Sequence, residues 1–118
     1  MTALDDFSRL NHIADACREA MAFAKEQDKE HLKSNRMLAL ALVKELEIIG
    51  EAANNISTEC QLRYPHIPWK DIVGMRNRLV HAYFGISYDI VWQTVIESLP
   101  NLPTDIELVL KDISADHE

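Results

Sequence analysis

A long apolar segment, from about residue 36 to residue 56, constrains what this chain can fold into more than any other stretch. Its apolar side chains recur at α-helical spacing but occupy more than one seam. They are Met37, Leu38, Leu40, Leu42, Val43, Leu46, Ile48, Ile49, Ala52, Ala53 and Ile56. A helix that is apolar over so much of its circumference is expected to be covered on two sides. One side would face the chain's own bundle, and the other is open to a second subunit.

The flanking sequence predicts further helices in both directions. Residues Leu4 to Ala24 carry one apolar stripe at helical spacing, and the polar segment Lys25 to Asn35 predicts a connection with a short helical turn. A short, partly helical piece is expected over residues 57–65. A third main helix is predicted from residue 68 or 69 to about residue 83, and Gly85 would end it.

Two capping patterns predict the last helices. Ser87 precedes apolar residues that recur through Leu99, and Thr104 with Glu107 forms a capping box before a final apolar stripe through Ile113. The sequence shows no alternating strand pattern and no repeat. It therefore predicts an all-α bundle of four to five helices.

The size and charge of the chain limit its partners. Its 118 residues suffice for one core, so residues 1–118 are expected to form a single domain. Twelve basic and 19 acidic residues give a net charge of −7, which argues against broad, non-specific nucleic-acid binding. Any RNA contact is therefore expected at a local basic spot.

The cysteines and the apolar runs indicate the compartment. Cys17 and Cys60 match no metal-binding or redox spacing, so reduced, buried thiols are expected. The N-terminal residues lack the basic and apolar regions of a secretory signal. The longest apolar run, Met37 to Val43, is too short to span a bilayer. We expect a cytoplasmic protein that makes no membrane contact.

The chemically most suggestive residues lie between positions 75 and 85. Arg76, Asn77, Arg78 and His81 fall within six residues, and Tyr83 follows two residues later. Arginine binds phosphate through two hydrogen bonds, and histidine transfers protons near neutral pH. The cluster indicates phosphodiester chemistry, although a charged helix end with a terminal histidine explains the same residues without any activity.

The predicted third helix determines which of these side chains can meet. On a continuous helix Asn77 and His81 would be neighbours, because they are four residues apart. Arg76 would lie about 140° from His81, so it needs the reach of its own side chain or a facing helix in a dimer. Arg78 would point elsewhere. The face committed to the bundle would hold Met75, Leu79 and Ala82.

This set of residues suits RNA cleavage without a metal. His81 would take the proton from a ribose 2′-hydroxyl or give one to the leaving 5′-oxygen. Arg76 would neutralise charge on the non-bridging phosphate oxygens, and Asn77 would hold the imidazole or a phosphate oxygen. The substrate has to be RNA, because DNA lacks the internal nucleophile.

Several segments in order carry a family resemblance. They are Ile48–Ala52, Ile67–Trp69, Gly74–Gly85 and Val91–Trp92. Together they resemble the HepT-like branch of the HEPN superfamily over nearly the whole chain. The motif of that family is Arg, four residues, His, one residue and Tyr, and it is complete here as Arg76, His81 and Tyr83.

The resemblance implies the toxin of a type VII toxin–antitoxin system, with a HEPN-type helical bundle that forms a homodimer. Such toxins act as metal-independent endoribonucleases, and Arg76 and His81 match the catalytic positions. Their partner, the antitoxin MntA, is a small nucleotidyltransferase that attaches AMP to the motif tyrosine, here Tyr83. The ATP is used by the antitoxin, so the resemblance implies no cofactor for this chain. A nucleotide on Tyr83 would block RNA entry and occupy Arg76.

Two further residues are candidates for supporting roles. Glu51, four residues after Glu47, could orient Arg76 or His81 across the bundle, and Arg78 could touch RNA phosphates. No histidine lies at ligand spacing beside the two glutamates, so no metal site is predicted. The alternative function is a non-catalytic HEPN module that binds a nucleotidyltransferase and a nucleotide, and the acidic net charge favours it.

Overall fold

The chain begins with helix α1 (Ala3–Ala24), the short helix α2 (Lys29–Ser34) and helix α3 (Arg36–Asn54), of which α1 and α3 pack along each other. The computed structural model describes residues 3–81 and 85–116. The fully buried side chains of the two long helices follow the predicted apolar stripes. They include Leu10, Ile13, Cys17, Ala20, Leu42, Leu46, Ile49 and Ala53. The two helices therefore form the centre of the core, as their periodicity predicts.

Polar caps define the junction between α1 and α3. The Asp28 side chain accepts a hydrogen bond from the backbone N–H of His31 at 2.8 Å, and His31 Nδ1 accepts one from the Asp28 N–H at 3.3 Å. This reciprocal pair is a capping box that begins α2. The Asn35 side chain accepts from the Leu38 N–H at 3.1 Å and begins α3. The short helical turn predicted in this polar connection is confirmed.

A buried carboxylate fixes the segment that follows α3. Ser57 Oγ accepts from the Cys60 N–H at 3.1 Å and caps helix α4 (Thr58–Arg63). Asp6 of α1, which is buried, accepts from the N–H of Ser57 at 2.8 Å and from its Oγ–H at 2.6 Å. The start of α4 is therefore tied to α1 across the bundle. Helix α5 (Trp69–Val73) comes next.

The predicted third helix is interrupted twice. Helix α5 ends at Gly74, and a separate helix α6 (Met75–Leu79) begins directly after it. Two short strands, β1 (Val80–His81) and β2 (Gly85–Ile86), then pair in antiparallel fashion. The predictions of a continuous helix to about residue 83 and of a chain without strands are wrong here.

Backbone pairing between β1 and β2 explains why α6 stops. Val80 pairs with Ile86 and His81 with Gly85, and the Ser87 N–H donates to the Leu79 carbonyl at 3.0 Å. These bonds replace those that a longer helix would make. Gly85 has a φ of +82°, a conformation that side chains disfavour. The prediction that Gly85 ends a helix is wrong: α6 ends at Leu79, and Gly85 instead begins β2.

Helix α7 (Tyr88–Gln93) begins after Ser87 and continues into a π-helical turn (Thr94–Ser98). Ser87 occupies the predicted capping position, but its side chain makes no capping hydrogen bond. Thr94 Oγ1 donates to the Ile90 carbonyl at 2.7 Å. Such a bond draws on a carbonyl that the helix itself uses and can distort the turn.

Helix α8 (Leu102–Asp116) completes the described chain and packs against α1. It begins two residues before Thr104, with Pro103 inside the first turn, where a missing N–H costs nothing. The predicted capping box of Thr104 and Glu107 is therefore wrong. The all-α bundle is confirmed, and the residue 80–86 hairpin is a local interruption of it.

Candidate functional site

Helix α6, which carries the first residues of the motif segment, buries one of its faces in the core. Met75 and Leu79 are buried, as predicted, while Asn77 and Arg78 are exposed. Arg76 lies on α6 between the buried Met75 and the exposed Asn77. Its side chain, the side chain of His81 and the whole of residues 82–84, which include Ala82 and Tyr83, lie outside the described part of the structure. The catalytic assignment of Arg76, Asn77 and His81 stays a prediction.

The break after Leu79 changes how the motif residues relate to one another. His81 belongs to β1 and pairs with Gly85, while Asn77 belongs to α6. The helical spacing from which Asn77 and His81 were predicted to be neighbours is therefore wrong, because it requires one helix through both, and the relation between the two side chains stays a prediction. The last helical motif position is Leu79, and His81 lies instead on a strand that pairs with Gly85.

Arg78 has a structural contact at the junction of α5 and α6. Its Nη2 donates to the Asp71 carbonyl at 3.1 Å, and its Nη1 lies 3.5 Å from the position that a Cβ on Gly74 would occupy. The guanidinium thus spans the break between the two helices and satisfies a carbonyl in the last turn of α5. This contact holds the side chain at the junction, and the supporting role of Arg78 toward RNA phosphates stays a prediction.

Glu51 lies in a groove between α1 and α3. The groove has a volume of about 640 Å³ and is lined from α1 by Ser8, Arg9 and His12 and from α3 by Lys44, Ile48 and Glu51, among others. The Glu51 side chain is exposed and accepts a 3.4 Å hydrogen bond from Asn55 Nδ2. Its predicted role in orienting Arg76 or His81 stays a prediction.

Glu45 is a titratable residue that the sequence analysis did not single out. It is 5% exposed, and its Oε2 has no hydrogen-bond partner among the described residues. Burial, together with a hydrogen bond to the adjacent Glu19 and the charge of that residue, raises the pKa of Glu45 to about 7. Its position between Leu42, Leu46 and Ile49 in the apolar stripe is the signal that could have identified it.

The cysteines are confirmed as buried thiols. Burial raises the pKa of Cys17 to about 12 and that of Cys60 to about 11. A thiol needs its thiolate form to act as a nucleophile or a metal ligand. Neither cysteine is therefore prepared for chemistry in this fold.

The described residues offer no obvious metal centre and no membrane span. Within residues 3–81 and 85–116, no group of three or more His, Cys, Asp or Glu side chains could hold a metal ion. Among the helices described, none combines the length and the hydropathy that crossing a bilayer requires.

Comparison with known proteins gives one consistent family. The family model described as "Ribonuclease HepT-like" matches residues 13–109. A Methanocaldococcus jannaschii protein whose name describes it as a "Putative RNase" is 36% identical over 109 residues, which cover 92% of this chain and 100% of the relative. The "Probable ribonuclease HepT" of Thermococcus cleftensis is 36% identical over 102 residues, which cover 86% of this chain and 93% of the relative.

A bacterial relative extends the similarity. A protein of Caldanaerobacter subterraneus subsp. tengcongensis, also named as a "Putative RNase", is 36% identical over 102 residues, or 86% of this chain and 91% of the relative. No solved structure gives a significant match to the chain.

Proposed function

We infer the function of this chain from one premise: it belongs to the HepT-like ribonuclease family. We propose that it is an endoribonuclease that needs no metal and that it is the toxin of a type VII toxin–antitoxin pair. The observation that carries the proposal is a complete Arg76–His81–Tyr83 motif inside the segment, residues 13–109, that the family model matches.

The proposed reaction is an internal displacement at phosphorus. The ribose 2′-oxygen attacks the adjacent phosphorus, the bond to the 5′-oxygen breaks, and a 2′,3′-cyclic phosphate and a free 5′-hydroxyl result. His81 takes the 2′-hydroxyl proton or supplies the proton that the 5′-oxygen needs. Arg76 stabilises the charge on the non-bridging oxygens, and Asn77, which is exposed on α6, supports either group.

The end of α6 at Leu79 removes one geometric constraint on this proposal. A side chain at position 81 is freed from the strict helical spacing that separates it from Arg76, because α6 ends at Leu79. The two groups therefore do not need to lie on one helical face. This supports cooperation between Arg76 and His81, which a continuous helix would make difficult.

Cleavage of RNA in the presence of a chelator tests the catalytic proposal. The wild-type chain is expected to cut structured RNA, and Arg76→Ala and His81→Ala are each expected to reduce the rate by at least 100-fold, the usual effect of removing one such group. Arg36→Ala and His66→Ala, at exposed positions on α3 and before α5, are the matched controls and should cut at the wild-type rate. Intact RNA with the wild-type chain would refute the assignment.

We propose further that a nucleotidyltransferase of the MntA kind inactivates the toxin at Tyr83. The phenolate oxygen attacks the α-phosphate of ATP, and pyrophosphate leaves. The AMP then adds a bulky anion two residues from His81. Intact mass after incubation with the antitoxin and ATP should increase by multiples of AMP for the wild type and for Tyr88→Phe, but not for Tyr83→Phe. A gain that survives Tyr83→Phe would contradict this step.

The second candidate function is a non-catalytic module that binds the nucleotidyltransferase and a nucleotide. The net charge of −7 favours it, because an acidic protein repels RNA outside any local basic spot. Under this alternative, the wild-type chain leaves RNA intact but still forms a stable complex with the nucleotidyltransferase.

A further inference from the structure

A second pocket adjoins the motif segment, between α5, α6 and the residues that lead into α8. Its volume of about 490 Å³ falls within the range of about 300–1,000 Å³ that is usual for small-molecule sites. Part of its wall belongs to α6 itself, through Met75 and Arg78. A ligand in this pocket would therefore touch the helix that carries Arg76.

The inner wall of the pocket is apolar. Its buried side chains are Ile72, Met75, Leu99 and Leu102, each at most 5% exposed. A methionine thioether makes favourable contacts with aromatic rings. A flat ring with two apolar faces, such as a nucleobase, is a ligand that suits this wall.

Two carboxylates supply the polar side of the pocket. Asp105, in the first turn of α8, is half-buried, and its backbone N–H donates to the Asn101 carbonyl at 3.2 Å. Asp71 is exposed, and the contact from Arg78 uses its backbone carbonyl and not its carboxylate. Among the residues that the structure describes, none donates a hydrogen bond to either carboxylate. Both groups are available as acceptors, and their charge repels a phosphate.

Guanine is the nucleobase whose edge matches a carboxylate. Its N1–H and 2-amino group are adjacent donors, and the two oxygens of a carboxylate can accept from both. Adenine, cytosine and uracil each present an acceptor beside the donor on this edge, and a carboxylate repels that acceptor. Proteins that recognise RNA by sequence read these edges on unpaired bases. An apolar wall beside a carboxylate that lacks a donor therefore selects guanine from single-stranded RNA.

We propose that this pocket is a guanine subsite for the RNA substrate. Asp105 accepts from the N1–H and the 2-amino group, and Met75 lies against the ring. Asn101 also lines the pocket, and its amide N–H is the donor available for the guanine 6-oxygen. The proposal rests on the ribonuclease function proposed above and adds a base preference to it.

The position of the pocket around α6 indicates which nucleotide enters it. At about 100° per residue, the helical positions of Met75 and Arg78 are centred roughly 130° from position 76. The base in the pocket therefore belongs to a neighbour of the nucleotides whose phosphate Arg76 would hold. Guanine is expected at one fixed offset from the cleavage site.

The charge of Arg78 favours RNA over the other class of occupant that has paired donors. An arginine of a partner protein would also offer a carboxylate two parallel N–H groups. The Arg78 guanidinium lines the same pocket and is held by its 3.1 Å hydrogen bond to the Asp71 carbonyl. Its positive charge repels a second guanidinium but not a neutral guanine.

Fluorescence anisotropy with labelled single strands tests the base preference. The probes are an all-uridine RNA, the same RNA with one central guanosine, and that RNA with inosine, which lacks the 2-amino group, in place of guanosine. A chelator and the His81→Ala substitution prevent cleavage. The guanosine strand should bind about tenfold more tightly than the uridine strand, and inosine should lose a large part of that gain.

Two substitutions in the same background assign the preference to the pocket. Asp105→Asn keeps the shape of the side chain but replaces one acceptor oxygen by a donor, and Ser98→Trp fills the pocket from an exposed position. Each should bring the ratio of guanosine to uridine affinity close to one. Glu107→Gln is the matched control, because it removes one charge from α8 outside the pocket, and it should keep the ratio. Circular dichroism establishes that the variants keep their helices.

Three outcomes would overturn the proposal. The first is equal affinity for the guanosine and uridine strands, or a preference that survives Asp105→Asn. The second is binding of guanosine 5′-monophosphate that depends on Asp105 without any preference among the strands, which would indicate a site for a free nucleotide. The third is the absence of binding by every probe, the result expected of a pocket that holds an arginine of a partner protein.

Mapping of the cleavage sites separates this proposal from the ribonuclease assignment. Sequenced ends from the wild-type reaction should show guanine at one fixed offset from the cut, and Asp105→Asn should remove that enrichment. Cleavage without a guanine preference would refute only the subsite. Guanine-selective binding by a chain that cuts no RNA would refute only the ribonuclease assignment.

Discussion

Gly50 on α3 lies directly against the backbone carbonyl of Ile72 on α5: a Cβ added at Gly50 would be 3.3 Å from that oxygen. The absence of a side chain allows α5 to approach α3 this closely. Since α6 follows α5 after the single residue Gly74, this contact also determines where the motif segment begins.

We predict that Gly50→Ala affects activity more than stability. Alanine stabilises a helix interior by about 1 kcal/mol relative to glycine, while a crowded contact costs on the order of 1–3 kcal/mol. The two effects partly cancel, so the free energy of unfolding should fall by about 1 kcal/mol. Helix α5 must nevertheless shift by a few tenths of an ångström, and α6 with it. We expect RNA cleavage to fall several-fold, measured beside urea unfolding. Wild-type rates in the variant would contradict the positional argument.

From the raised pKa of the buried Glu45 we predict that the stability of the fold depends on pH. Its pKa is about 7 in the folded chain against a usual value of 4.5, so the folded state binds this proton more tightly than the unfolded state does. The stabilisation is complete below about pH 4.5 and is lost as the pH rises through 7. Glu45→Gln should remove that loss and raise the free energy of unfolding at pH 8 by on the order of 3 kcal/mol, since one pKa unit corresponds to about 1.4 kcal/mol.

Urea unfolding at pH 5 and pH 8 measures this effect. The wild type should lose stability between the two values, and Glu45→Gln should lose much less. Glu19→Gln removes the neighbouring charge, which is a smaller cause of the shift than burial, so it should reduce the loss without abolishing it. A Glu45→Gln variant with the wild-type pH dependence would show that this carboxyl is not the group that titrates.

We predict that removing the buried side chain of Asp6 lowers the free energy of unfolding substantially. It accepts both hydrogen bonds that tie Ser57 to α1, at 2.8 and 2.6 Å. Asp6→Ala leaves the Ser57 N–H without this partner in a part-buried place, and the expected loss is about 2–3 kcal/mol. Asp15→Ala is the control on the same helix, because Asp15 is exposed and pairs only loosely with Arg18 at 3.7 Å. Equal midpoints for both variants in urea would contradict the prediction.

The long helices could be predicted from the sequence because their stabilising contacts repeat. The apolar stripes of α1 and α3 extend over 22 and 19 residues, so a few exceptions do not obscure the period. Glu45 is such an exception. Its raised pKa depends in part on Glu19, which belongs to another helix, and sequence spacing carries no information about that pairing.

The motif segment could not be predicted in the same way, because its shape depends on competition between two sets of backbone hydrogen bonds. The pattern from Trp69 to Leu79 fits a helix, and so do α5 and α6 separately. After Leu79 the strand pairing replaces the helix, because Val80 pairs with Ile86 and His81 pairs with Gly85. The residue types at the site were recognisable from the sequence, but the end of the helix between Asn77 and His81 was not.

Arg78 and Arg76 are predicted to differ in how they affect RNA binding. Arg78 holds the Asp71 carbonyl at the α5–α6 junction, whereas Arg76 is the proposed phosphate ligand. Each phosphate contact adds about 0.7 to the slope of log affinity against log salt for a single strand. In a His81→Ala background, which prevents cleavage, Arg76→Ala should reduce that slope by about one contact, and Arg78→Ala should leave it unchanged.

Arg78→Ala should lower the free energy of unfolding by about 1 kcal/mol, the value of one hydrogen bond. If Arg78→Ala reduced the salt slope as much as Arg76→Ala does, its role would be phosphate binding and the junction contact would be incidental.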